Sequence, residues 1–229
     1  MIDFHSHVLP KLDDGSGSVE ESVRMLAELG SQGVKILVAT PHFYANSTTV
    51  EEFLDKRAEA YKLLECEKKA VFPRILLGAE LRYYEGISSL EGIERLTVGD
   101  SRLLLLEMPM SKWTDYTLKE LFAMARSQKY KLVLAHIERY YDMQDEQVWY
   151  DLQENDVLFQ VNAAHFIRLS TRRKAMKLLK NGFVHFLGSD CHDTKLRPPV
   201  IAPAYELIGK KLGGKTVDAM LDFGYNFVG

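Results

Sequence analysis

Seven short apolar runs, at 2–5, 34–40, 74–80, 102–107, 131–136, 157–162 and 183–189, alternate with segments of helical periodicity, and this alternation constrains the fold more than any other feature. The runs are mostly continuous, so each reads as a strand buried on both faces, the kind a helix-covered parallel sheet requires. Ser18 with Glu21, and Thr49 with Glu52, have capping-box spacing, while Gly33 and Gly182 fall where helix C-terminal glycines belong. The expected fold is α/β, a seven-stranded (β/α)7 barrel one unit short of the usual eight, although an open sheet has the same local signature. With 229 residues and 46% hydrophobic composition, one domain spanning 1–229 is the expectation.

Coordinating side chains recur at one end of these strands. His5 ends the first run and His7 follows it; His42 follows the second, and Glu80 and Glu107 end the third and fourth. His136 ends the fifth, and Asp190 and His192 follow the seventh. In a parallel barrel those C-terminal ends converge on one face, where active sites are built. Imidazoles and carboxylates without thiolates point to a catalytic cluster of two or three divalent ions rather than a structural zinc knot.

The ordered motifs are His5-Ser6-His7, Asp13-Asp14-Gly15, Thr40-Pro41-His42-Phe43, Gly78-Ala79-Glu80, Leu105-Leu106-Glu107-Met108-Pro109, Ala135-His136-Ile137-Glu138-Arg139-Tyr140, Ser189-Asp190-Cys191-His192 and Arg197-Pro198-Pro199. This set resembles the polymerase and histidinol phosphatase (PHP) superfamily and, within it, the bacterial manganese-dependent protein-tyrosine phosphatases that act with capsule and exopolysaccharide tyrosine kinases. The resemblance implies a distorted PHP-type (β/α)7 barrel with three metals: one on His5, His7, Glu80 and Asp190, a second on Glu80, Glu107 and His136, and a third on Asp14, His42 and His192. It implies manganese, with Fe, Zn, Co or Mg as other ions such ligands take. Its expected partner is a phosphotyrosine-bearing kinase tail. Ile137 departs from the pattern, standing where the family commonly has proline.

The implied reaction is phosphomonoester hydrolysis through metal-activated hydroxide, with Arg139 and Arg197 presenting guanidinium forks to the phosphate. A small-molecule phosphomonoesterase such as a histidinol phosphatase is the alternative. Cys191 and Arg197 also fit the Cys-x5-Arg spacing of cysteine-dependent tyrosine phosphatases, but the bulky intervening residues and Pro198-Pro199 argue against a thiolate loop.

Other features read as structural. His165, on a loop, and His185, inside a strand, are ordinary histidines; Asp13 shapes the turn before Gly15. Tyr44, Tyr83, Tyr84, Tyr140, Tyr141 and Phe43 either line a groove for a phosphotyrosine ring or pack the rim. Glu20 and Glu21 stabilise a helix start; the family resemblance makes that helix, with Arg24, a candidate for homo-oligomer contacts. The basic run 172–174 is a solvated helix face. A net charge of −3 gives no footprint for nucleic acid, no stretch is long and apolar enough for membrane insertion, and two cysteines without a signal-like N-terminus lead to a cytoplasmic expectation.

Overall fold

The computed structural model describes residues 1–67 and 69–229. Its strands are β1 (Ile2–Ser6), β2 (Ile36–Ala39), β3 (His42–Phe43), β4 (Arg74–Leu77), β5 (Glu80–Arg82), β6 (Leu103–Glu107), β7 (Lys131–Leu134), β8 (Leu158–Asn162) and β9 (Phe186–Gly188). Its helices are α1 (Val19–Ser31), α2 (Val50–Glu65), α3 (Asp115–Ala125), α4 (Glu146–Glu154), α5 (Ala163–Ile167), α6 (Leu169–Lys180), α7 (Ala202–Leu212) and α8 (Gly214–Val228). No helix among the described residues is long and apolar enough to cross a membrane.

All strand pairings are parallel, as the continuous apolar runs require, and the sheet curls into a half-barrel. The hydrogen bonding differs from the single seven-stranded barrel expected above: three strands pair as β1-β2-β4 and six as β3-β5-β6-β7-β8-β9. Two short strands lie outside the expected set: β3 falls just beyond the run 34–40, and β5 starts at the last residue of the run 74–80. Pro41, which has no N–H to give the ladder, separates β2 from β3, and Gly78-Ala79 separates β4 from β5. The connection from β5 to β6 also lacks an α-helix and contains two 3-10 turns, Ile87–Ser89 and Ile93–Leu96. Beyond β9, the Asp190 N–H donates to His5 O at 2.8 Å and the His7 N–H to Cys191 O at 2.9 Å. Chain following the last strand thereby lies against β1.

Two apolar clusters hold this arrangement. One lies between sheet and helices; the other, with Phe4, Val38, Leu105, Val133, Leu158 and Phe186, draws on strands from both sheets and fills the curl. Phe223, Tyr225 and Phe227 of α8 pack against the second cluster, away from the strand C-terminal ends. Gly188 has no room for a side chain, since a Cβ there would stand 2.5 Å from the His5 Cβ. The helix signals act as read, with one exception. Thr49 and Glu52 form the reciprocal capping box, and Gly33 and Gly182 adopt φ of +83° and +80°, whereas Ser18 caps the Glu21 N–H without the return bond.

Candidate metal centre

The strand C-terminal ends bring His5, His7, Asp14, His42, Glu80, Glu107, His136, Asp190 and His192 into four overlapping groups, each with ligand atoms within 4.8 Å of one another. Glu80, 1% exposed, is the hub. Its Oε2 lies 3.2 Å from His5 Nε2, 3.3 Å from His7 Nε2 and 3.1 Å from His42 Nδ1; its Oε1 lies 2.7 Å from His136 Nε2. Burial alone would raise its pKa, but the surrounding imidazoles, His5 foremost, hold it well below the carboxylate range. Asp190 Oδ1 lies 3.6, 3.5 and 3.8 Å from ring nitrogens of His5, His7 and His192. Asp14 Oδ1 stands 3.4 Å from both His42 and His192, with its side chain 64% exposed, so this group opens to solvent.

A polar relay fixes where the protons sit. The Asp190 carboxylate is acceptor-only, so the Asn162 Nδ2 amide donates to its Oδ2 at 2.8 Å. Asn162 Oδ1 then accepts from Gln160 Nε2 at 2.9 Å, which turns Gln160 Oε1 toward the His136 N–H at 2.7 Å and His5 Nδ1 at 3.1 Å. The proton of His5 is thereby assigned to Nδ1 and its lone pair to Nε2. Asp13 does the same for His7, with Oδ2 2.7 Å from Nδ1. The two Nε2 lone pairs face each other at 3.1 Å.

That contact tests whether the residues fit a cation. Two ligands at about 2.1 Å from one ion lie about 3.0 Å apart along an octahedral edge and about 3.4 Å along a tetrahedral one. The His5–His7 spacing matches such an edge. Burial disfavours positive charge on these rings, yet Glu80 and Asp190 raise His5, while Asp13, Asp190 and Glu80 raise His7 well above the usual histidine value, so the surrounding carboxylates favour positive charge at this point. Glu107 Oε2 and His192 Nε2 are buried without hydrogen-bond partners, as expected for ligand atoms directed at ions. The donor set fits metal.

Two candidate ligands occupy the left-handed backbone region, His136 at φ +32° and Asp190 at φ +52°. Such strain in non-glycine residues costs about 1–3 kcal/mol each and concentrates at functional sites. Ile137, fully buried, starts a 3-10 turn that carries Arg139 to Asp190 Oδ2. Arg197 reaches Asp190 Oδ1 at 2.7 Å. Both arginines line a cleft of about 470 Å³ with His165, Arg168 and Leu196. A second cleft, of about 560 Å³, is lined by Tyr44, Arg82, Tyr83 and Tyr84.

Several expectations change. Asp13, read as a turn former, accepts the Gly15 N–H as expected but also orients His7 and accepts the His42 N–H at 2.9 Å. His165 lies on α5 rather than a loop, its Nδ1 3.3 Å from the buried Glu138 Oε1. The 172–174 run is not simply solvated, since Arg172 donates to the carbonyls of Phe166 and Ile167, and Lys174 donates to the Glu138 carbonyl and to the Asp142 carboxylate. His185 is structural, its Nδ1 accepting the Phe159 N–H at 3.0 Å. Of the aromatics, Phe43 packs on Phe53, Tyr83 donates to Glu120, Tyr140 is fully buried and Tyr141 stacks on Trp149. Cys191 is fully buried and its thiol is pushed well up by burial, the reverse of a nucleophilic thiolate. Gln160 and Asn162 went unnoticed in the sequence; polar residues two apart on an otherwise apolar strand were the available signal.

Among curated proteins, the chain is 32% identical to the tyrosine-protein phosphatase CpsB of Streptococcus pneumoniae, covering 94% of this chain and 92% of that protein. It is 28% identical to the tyrosine-protein phosphatase YwqE of Bacillus subtilis, covering 94% and 86%. A solved structure from work on B. subtilis YwqE and S. pneumoniae CpsB, described as unique metal-dependent tyrosine phosphatases, superposes with a TM-score of 0.81 at 24% identity, covering 97% of this chain and 92% of that one. The family model for capsular polysaccharide synthesis proteins CpsB/CapC matches residues 1–223, and the chain belongs to that family.

Proposed function

We infer that this chain is a metal-dependent protein-tyrosine phosphatase whose substrate is a phosphotyrosine-bearing tail of a bacterial tyrosine kinase controlling capsular or exopolysaccharide synthesis. The observation that carries the reading is the convergence of nine imidazole and carboxylate ligands beside two arginines, in a chain whose relatives are tyrosine phosphatases. The seven expected runs act as one PHP-type barrel domain over 1–229, in the cytoplasm.

His5, His7, Glu80 and Asp190 would hold one ion, Glu80, Glu107 and His136 a second, and Asp14, His42 and His192 a third, with manganese the proposed metal. Bound there, the ions supply a water of lowered pKa and positive charge against the phosphoryl oxygens. The chain's own residues bind and orient. Arg139 and Arg197 each direct one terminal nitrogen to Asp190, and both line the cleft, where their remaining N–H donors would bind a phosphate. Asp13, Gln160 and Asn162 keep the imidazole protons away from the centre, so that lone pairs face inward.

The test compares phosphate release from a phosphotyrosine peptide and from histidinol phosphate with manganese present, using wild type and His42→Ala. Preferred peptide turnover that His42→Ala loses supports the reading. Better turnover of histidinol phosphate, or a His42→Ala protein equal to wild type, overturns it.

A further inference from the structure

The loop from Asp193 to Ile201, which carries Arg197, is held from outside the site by one helix. Near the start of α1, Glu21 Oε1 accepts both the Thr194 N–H at 2.7 Å and the Thr194 hydroxyl at 2.8 Å, while Arg24 occupies Oε2. Beyond its end, Gln32 Nε2 donates to Pro199 O at 2.6 Å, and Gln32 Oε1 accepts from the N–H groups of Ile201 at 2.9 Å and Ala202 at 3.1 Å. Within the loop, Asp193 Oδ1 takes the Lys195 and Leu196 N–H groups, and Arg197 O takes the His192 N–H at 3.0 Å. The result is a tight turn that delivers the Arg197 guanidinium to Asp190.

Local chemistry alone would use Glu21 differently. Its spacing from Ser18 is that of a capping box, and Ser18 does cap the Glu21 N–H at 3.2 Å. In α2 the equivalent Glu52 returns the bond, accepting the Thr49 N–H at 3.1 Å. Glu21 makes no such return; its oxygens serve Thr194 and Arg24 instead. A helix-capping carboxylate has been diverted across 173 residues of sequence to the loop beside the metal centre.

We propose that Glu21 is a positioning residue for Arg197, setting through Thr194 where that guanidinium meets the substrate phosphate. The inference rests on the reading of Arg197 as a phosphate contact. A displacement of about 1 Å at a reacting group can cost about a hundredfold, and Arg197, with its side chain 39% exposed, is tied at its tip to Asp190 while its backbone is set by the loop that Glu21 holds.

The test uses the full manganese-loaded chain and measures the dissociation constant of inorganic phosphate by calorimetry, kcat and KM on a phosphotyrosine peptide, and bound metal per chain. Glu21→Ala is expected to weaken phosphate binding about tenfold with metal content unchanged. Glu21→Gln, whose amide oxygen still accepts from Thr194, should stay within about threefold of wild type. In an Arg197→Ala background, Glu21→Ala should add nothing, because the group it positions is gone. Wild-type phosphate affinity in Glu21→Ala, or a full additional loss in the double variant, overturns the proposal. Should Glu21→Ala fail to fold, Thr194→Val removes only the hydroxyl bond; a loss of about threefold supports the clamp and no loss overturns it. If Arg197→Ala itself binds phosphate as wild type does, the phosphate-contact reading falls. A silent Glu21→Ala alongside a damaged Arg197→Ala removes only the clamp.

Discussion

Gln160→Leu keeps the size of a fully buried side chain on β8 and removes the junction of the polar relay. The His136 N–H, the His5 Nδ1–H and Asn162 Oδ1 then lose their partners at 2.7, 3.1 and 2.9 Å. Each buried group left unpaired costs about 1–3 kcal/mol, so the three together cost at least about 3 kcal/mol. In a chain of 229 residues that corresponds to a fall in Tm of about 6–12 °C. The same bonds hold the imidazole of His5 and the backbone of His136, and loss of such outer support typically lowers metal affinity 10–100-fold. Thermal unfolding of the metal-free protein isolates the first effect, and a competition titration of manganese against a chelator reads the second. A Tm loss with wild-type metal affinity would refute the claim that the relay orients ligands. Unchanged values for both would refute the hydrogen-bond assignment itself.

Asp13→Ala removes the acceptor that burial opposes but His7 and the His42 and Gly15 N–H groups hold at a pKa of about 2; manganese affinity should fall about 10–100-fold in the same titration. Cys191→Ala should keep kcat within about threefold, and alkylating reagents should not inactivate the folded wild type; a loss of over a hundredfold would restore the cysteine mechanism. His185 is lowered to about 4, first by burial and then by Lys131, so between pH 6.5 and 4 the unfolded chain binds the proton that the folded chain refuses. Stability should therefore decline as pH falls through that window. His185→Gln should show a shallower decline, by up to one proton, in denaturant titrations across pH.

Eight of the nine ligand candidates were legible because imidazoles and carboxylates are chemically distinctive and fall at or just past the ends of apolar runs, whereas Asp14, in the Asp13-Asp14-Gly15 turn, came only from the family resemblance. The supporting residues were not: glutamine and asparagine on β8 become meaningful only when the curl of the sheet sets Gln160 beside both His5 and His136. The break at Pro41 follows from a residue type visible in the sequence, whereas the left-handed backbone at His136 and Asp190 has no compositional mark. Glu21 shows a further limit. Its spacing from Ser18 is a helix-start signal, yet its carboxylate is used by Thr194, a partner that only the folded chain brings near.

The most direct test of the account is phosphate release from a phosphotyrosine peptide measured against manganese bound per chain, starting from chelator-stripped protein and running Cys191→Ala beside wild type. Activity that is absent in the stripped protein, rises with bound manganese and is shared by Cys191→Ala is the expected result. Turnover that survives complete removal of metal, or that disappears with Cys191, would contradict it.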